Sequence, residues 1–173
     1  MNLYLRFLML LLTRIRVPNK IDVFDTCRTK FRVYPLDLDL NLHMNNGRYL
    51  SIMDLGRFDL MLKAGIFWRL MARGYYPVVV SESIRFRKSL GLFDGFELLT
   101  IIESWDEKDL FIRQTFLHKG QVIATGYIKG RFRQRGRKGS VTTAELFELT
   151  GKSFNGPRLS DLARSQNAVE AEL

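Results

Sequence analysis

Cysteine, histidine and proline are scarce in this 173-residue chain, with one, two and four copies respectively. A lone Cys27 excludes an intramolecular disulfide and every CxxC redox or zinc motif, so a reducing, cytoplasmic setting is expected. His43, His118 and the scattered carboxylates contain no pair at short ligand spacing, so no metal is expected, and no cofactor motif is present. Long hydrophobic runs are missing too. Leu3 to Leu12 reads LYLRFLMLLL, about half of the ~20 residues that span a bilayer. Arg6 interrupts it, and no small-residue cleavage site follows before Pro18. Three readings of this segment stay open. It is a short helix packed on the domain or on another copy, a helix lying in a membrane interface through residues 3–16 with Arg6, Arg14 and Arg16 facing phosphates, or a signal peptide.

What is present is apolar and basic. Apolar residues make up 46% of the chain and include thirteen Phe, which excludes disorder and predicts one packed domain. Lys plus Arg outnumber Asp plus Glu by 27 to 18, a net charge of +9 that attracts phosphates, acidic lipid or nucleic acid without choosing among them.

Period-two alternation over Ile21 to Val33 predicts a half-buried strand, stopped at Tyr34-Pro35. LDLDLNLHMNNG then reads as a loop, with Asn-Asn-Gly as turn chemistry. From Arg48, apolar residues recur at threes and fours as far as Ala64, with Gly65 as the stop. This predicts a helix of about five turns lying on a sheet, with Asp54 and Arg57 on other faces. A short helix, Ile66 to Ala72, follows. Four strands are expected at Tyr76 to Ser89, Phe96 to Trp105, Leu110 to His118 and Val122 to Gln134. Short links join them as a meander of antiparallel neighbours, Lys119-Gly120 being the clearest hairpin. Thr142 to Leu149 reads as a last helix capped by Thr142 or Thr143. The fold class is α+β, one antiparallel sheet around one dominant helix. The expected organisation is an N-terminal helix (1–18), a domain (19–152) and a polar tail (153–173).

The densest polar cluster is Asp37, Asp39, Asn41, His43, Asn45, Asn46 and Tyr49, at the entry to the long helix. Caps and turns explain Asn45 and Asn46, and the rest only in part. A helix N-terminus offers unpaired N–H groups and the positive end of a dipole to a developing oxyanion. A nearby carboxylate, Asp39, could act there as base for a water or as nucleophile, and His43 could polarise a carbonyl or orient the water.

Asp37-Leu38-Asp39, His43-Met44-Asn45-Asn46 and Tyr49-Leu50 resemble the D-x-D-x-x-x-H-x-N-N-x-x-Y-L segment of hotdog thioesterases related to 4-hydroxybenzoyl-CoA thioesterase. Together with SIRFRKSLGLFDGFEL and Trp105-Asp106, the stretch from Val33 to Arg133 is similar to the thioesterase superfamily member six type. The resemblance implies a hotdog fold, a homodimer or homotetramer with sites at subunit interfaces, and an acyl-CoA substrate hydrolysed to acid and thiol. It makes Asp39 the catalytic carboxylate and the N–H groups near Asn46 and Gly47 the carbonyl support. It also brings Ser81, Glu82 and Ser83 to the pocket wall, with Asn45 and Tyr49 completing the substrate-binding set. Many members carry Gly just before the His, where this chain has Leu42.

Arg85, Arg87 and Lys88 on one strand and Arg131, Arg133, Arg135, Arg137 and Lys138 at the end of another could meet the phosphates of CoA, or form a solvated basic face. A hotdog protein that binds acyl groups or CoA without turnover is the alternative to an enzyme. A nucleic-acid module built on the Arg131 to Lys138 run is disfavoured, because the aromatics alternate like core residues and no known motif appears.

Overall fold

A computed structural model describes residues 3–16 and 21–151, and the expected tail 153–173 lies outside the described residues. The elements run α1 (Leu3–Arg16), β1 (Cys27–Arg32), α2 (Asn46–Lys63), α3 (Phe67–Ala72), β2 (Tyr75–Phe86), β3 (Gly95–Trp105), β4 (Asp109–His118), β5 (Gln121–Gln134), β6 (Ser140–Val141) and α4 (Thr143–Glu148). The sheet is antiparallel in the order β1-β3-β4-β5-β2, with β6 beside β5. α2 lies across it, as an α+β chain with one dominant helix should.

Three expectations need correction. The first strand begins at Cys27, because Asp22 closes an Asx turn over Asp25 (Phe24 N to Asp22 Oδ1, 3.0 Å; Asp25 N to Asp22 O, 3.0 Å) and takes those residues out of the ladder. α2 starts at Asn46, so Asn46 and Gly47 form its first turn instead of a free turn. The meander is confined to β3, β4 and β5. β2 pairs with β5 at the far edge, and the segment between β2 and β3 crosses over. The buried Leu90 pins that crossing, its carbonyl accepting from Met44 N at 2.8 Å. The Lys119-Gly120 hairpin is present, with both residues at positive φ (49° and 78°), the geometry that matches strand twist.

Two apolar clusters form the core, one around Tyr49, Met53 and Phe116 near the start of α2, the other around Leu60, Trp105 and Phe147 near its end. Between them α2 touches the sheet at Gly56, where a Cβ would sit 2.5 Å from Leu98 Cδ2, too close for any larger residue. α1 is docked by its inner side. Arg6 is buried and ion-paired with Asp37, and Phe7 meets Phe58 edge-on at 5.1 Å. Its outer side leaves Tyr4, Leu5, Leu8, Met9 and Leu12 exposed. No described helix is long and apolar enough to cross a membrane.

Candidate active site

The segment from Asp37 to Tyr49 is a tight loop clamped at its base. Leu38 bridges Met44, His43 bridges Gly91, and Asn45 N donates to Asp37 O at 2.8 Å. Asp37 is spent on structure: its buried carboxylate takes Tyr34 N at 2.8 Å and the Arg6 guanidinium. Asp39 closes the loop tip, with Asp39 N donating to His43 O at 2.9 Å and Leu42 N to Asp39 O at 3.1 Å. Its Oδ1 accepts from Asn41 N at 2.9 Å and His43 N at 3.4 Å. One half of the carboxylate therefore holds the loop, and the other half, Oδ2, carries no hydrogen bond among the described residues.

Leu42, which stands where many of the resembling sequences have Gly, adopts φ 59°. The loop thus bends through a conformation that glycine enters freely and that costs an L-residue about 1–2 kcal/mol. Leu42 is largely exposed, so its side chain returns little of that cost. Leu42→Gly is expected to leave stability unchanged or raise it by up to about 1 kcal/mol, glycine's unfolded-state entropy offsetting part of the gain. A urea midpoint that fell by more than that would mean the Leu42 side chain has a partner.

At the helix start Asn45 is the cap, its Oδ1 accepting from Gly47 N at 2.9 Å, and Asn45 O takes Arg48 N at 2.8 Å. Of the two amides expected to support a carbonyl, Gly47 N–H is therefore already engaged. Asn46 N–H has no partner among the described residues. His43 is exposed, with its backbone tied to Asp39 and its ring toward solvent. Tyr49, expected to bind substrate, is only 1% exposed and packs edge-on to Phe86 and Phe116, each at 5.0 Å. Burial pushes its hydroxyl up to about 12, and the Leu90 backbone offsets part of this. Within the protomer it is a core residue.

Ser81, Glu82 and Ser83 lie on β2, the edge strand, and no hydrogen bond joins them to the Asp39 loop among the described residues. The basic residues divide. Arg131 forms a two-toothed pair with Asp109 (2.7 and 3.0 Å), a carboxylate 1% exposed that Lys129 also approaches at 3.5 Å. Arg131, expected at a phosphate, is thus engaged by a buried carboxylate within the fold. Arg131 opposes Val78 and Arg133 opposes Tyr76, while Arg85 opposes Thr125 seven residues farther along β2, about 23 Å away at strand rise. One CoA phosphate cannot meet both groups. Phe86 touches Tyr49, so by strand alternation the exposed Arg85 and Arg87 on either side of it present their side chains to the opposite face of β2.

Two features escaped the sequence reading. Asp59, Lys63, Thr29 and Cys27 form a buried polar knot, with Lys63 Nζ 2.9 Å from Asp59 and Thr29 donating to Asp59 at 2.6 Å. Burial is the main force raising the Cys27 thiol, with the Asp59 charge adding to it, which disfavours the thiolate form. The signal was a charged i,i+4 pair on the apolar stripe of α2. The second feature is an apolar cavity of about 310 Å³ between the later half of α2, α3, β2, β5 and α4, with Asp54 and Arg57 among its polar lining residues. Arg57 is not on an outer face. It ion-pairs with Asp54 and reaches inward to the buried Gln114 Oε1 at 2.9 Å. Among the described residues, no three His, Cys, Asp or Glu side chains cluster as a metal site.

Comparison with known proteins agrees with this architecture. Residues 33–160 match the model of the thioesterase-like superfamily. Protein THEM6 of Danio rerio is 44% identical over 88 residues, covering 51% of this chain and 44% of that protein, so the match spans less than half of the relative's length. The long-chain acyl-CoA thioesterase FadM of Escherichia coli is 28% identical over 103 residues, 58% of this chain and 78% of FadM. The crystal structure of the probable thioesterase YbaW from Escherichia coli superposes with a TM-score of 0.66 at 25% identity, covering 71% of this chain and 95% of that one. A long helix laid across one antiparallel sheet and a family match over most of its length together show that the chain belongs to the thioesterase-like superfamily, with a hotdog fold.

Proposed function

We propose that this protein hydrolyses acyl-CoA thioesters to the free acid and CoA. The observation that carries the reading is the half-free Asp39 carboxylate on a loop leading directly into the α2 N-terminus, in a chain of this superfamily. Asp39 takes a proton from water as the oxygen adds to the thioester carbon and returns it to the leaving sulfur, or adds to that carbon itself to form an acyl anhydride that a water then hydrolyses, freeing the acid and Asp39 and protonating the thiolate. The oxyanion accepts from Asn46 N–H, and the C–S bond then breaks to release the thiol. Arg85 and Arg87 face the CoA phosphates. The reaction as proposed calls on no metal or cofactor beyond the CoA of the substrate. Free-thiol release from short, medium, long and aromatic acyl-CoAs tests it. Silence across the panel would transfer the protein to the alternative, a hotdog domain that binds acyl groups or CoA without turnover.

A second copy is part of the reading. β2 is a twelve-residue edge strand that exposes Tyr76, Val79, Val80 and Phe86, a surface that pairs readily with its own kind. A dimer across β2 would bring the partner's face against Ser81, Glu82 and Ser83. Light scattering that gave a monomer at micromolar concentration would remove this part. The exposed apolar side of α1, on a chain of charge +9, favours peripheral contact with an anionic membrane face, and co-sedimentation with anionic vesicles checks it. A cytoplasmic setting fits the lone buried thiol.

A further inference from the structure

We infer that the apolar cavity beside α2 holds the tail of an aliphatic acyl group, and that it makes medium-to-long unbranched chains, rather than hydroxylated aromatic acids, the preferred substrates. The inference rests on the thioesterase reading and adds the substrate class to it.

Position comes first. Gly47, Asp54 and Met61 follow one another at sevens along α2 and so share one face of the helix. Asp54 and Met61 both line the cavity, about 10 and 21 Å along the axis from Gly47. A thioester held at the helix N-terminus can direct its tail down this face to reach the space. Size comes second: an apolar cavity of about 150 Å³ accommodates one benzene ring, and this one is about twice as large at about 310 Å³. A benzoyl group would leave half of it empty, and an empty apolar cavity forfeits contacts that a longer chain makes.

Chemistry comes third and decides the class. The wall is largely aliphatic, with Leu60, Leu70, Val78, Ile102, Leu110 and Ile128 among its members. Most polar side chains that reach it are already bonded: Arg57 serves Gln114 and Asp54, Arg131 serves Asp109, and Thr150 donates to Phe147 O at 2.6 Å, while Oδ2 of the half-exposed Asp54 has no hydrogen bond among the described residues. A ring hydroxyl buried past Asp54 among the aliphatic wall would lose its hydration without a partner beside it, and a second carboxylate would in addition meet the Asp54 charge, which disfavours both. A hydrocarbon tail carries no such cost, and each buried methylene adds to its binding.

Gly130 lines the cavity, and a Cβ there would meet only Val78 O, at 3.7 Å, so a larger side chain can enter without a backbone clash. The experiment compares wild type, Gly130→Leu and Ile66→Phe, the last altering a partly buried wall residue in the link between α2 and α3 and so less costly to folding. Two readouts are taken: displacement of an environment-sensitive apolar dye by free dodecanoate, which needs no turnover, and kcat/KM for butyryl-CoA and dodecanoyl-CoA. Wild type should bind dodecanoate and prefer dodecanoyl-CoA. Either variant should lose at least about tenfold on both dodecyl measurements while butyryl-CoA hydrolysis stays within about twofold. Folded variants that keep the wild-type chain-length profile would overturn the inference while leaving the thioesterase reading intact. Dodecanoate binding that the variants abolish, in a protein that hydrolyses no acyl-CoA, would uphold the tail site and sink the enzyme reading instead. Absence of dodecanoate binding in wild type would overturn the inference outright.

Discussion

Asp39→Asn should lower kcat/KM for acyl-CoA hydrolysis by about 10³-fold with little change in KM, within the 10²–10⁴ range that a positioned acid or base supplies. The substitution is informative because it spares the loop. Asn keeps an Oδ1 able to accept from Asn41 N and His43 N, the two bonds that hold the tip in place. Only the negative charge and basicity are lost. Circular dichroism and CoA affinity should therefore match wild type, so a drop in kcat reads as lost chemistry. If the variant kept activity within a few-fold, the reaction would have to be run from elsewhere. His43, exposed beside the same loop, or Glu82 on β2 would be next for substitution.

The largest stability effect is expected at Asp109, far from the chemistry. Its carboxylate receives Arg131 through two hydrogen bonds and Lys129 at 3.5 Å, and both it and Lys129 are almost wholly buried. Asp109→Ala takes away the carboxylate that Arg131 bonds twice and that Lys129 approaches in the core, and breaking a buried ion pair from one side costs about 3–5 kcal/mol. For a domain of this size that lowers Tm by roughly 6–20 °C. Arg131→Ala should be milder, since Lys129 remains to answer Asp109, and should leave CoA affinity unchanged. Arg85→Ala or Arg87→Ala, at exposed positions at the end of β2, should instead weaken CoA binding with little loss of stability. A fall in CoA affinity for Arg131→Ala without loss of stability would reverse these assignments.

Local patterns in the chain were read well where neighbours in sequence decide the outcome. The apolar residues of α2 at threes and fours, the Lys119-Gly120 turn and the Thr142 cap, whose Oγ1 accepts from Glu145 N at 3.2 Å, depend on atoms a few positions apart. The polar cluster before α2 was legible for the same reason, because Asp and Asn cap and turn the chain at a helix entry, as the Oδ1 of Asn45 does for Gly47 N and that of Asp39 for Asn41 N.

The sequence by itself determined the α+β class, the dominant helix and the absence of an intramolecular disulfide, and it pointed to the Asp37 to Tyr49 segment as the place to test for chemistry. The tertiary structure alone decided that β2 sits at the far edge beside β5, that Arg131 answers the buried Asp109, that Tyr49 packs in the core, and that a cavity opens along α2. Each of these depends on strand order and register, and so on which of many chemically equivalent partners a side chain meets across the fold. An Arg in a strand reads the same whether a buried carboxylate or open water lies opposite it, and a Leu reads the same whether its neighbours close against it or leave a space.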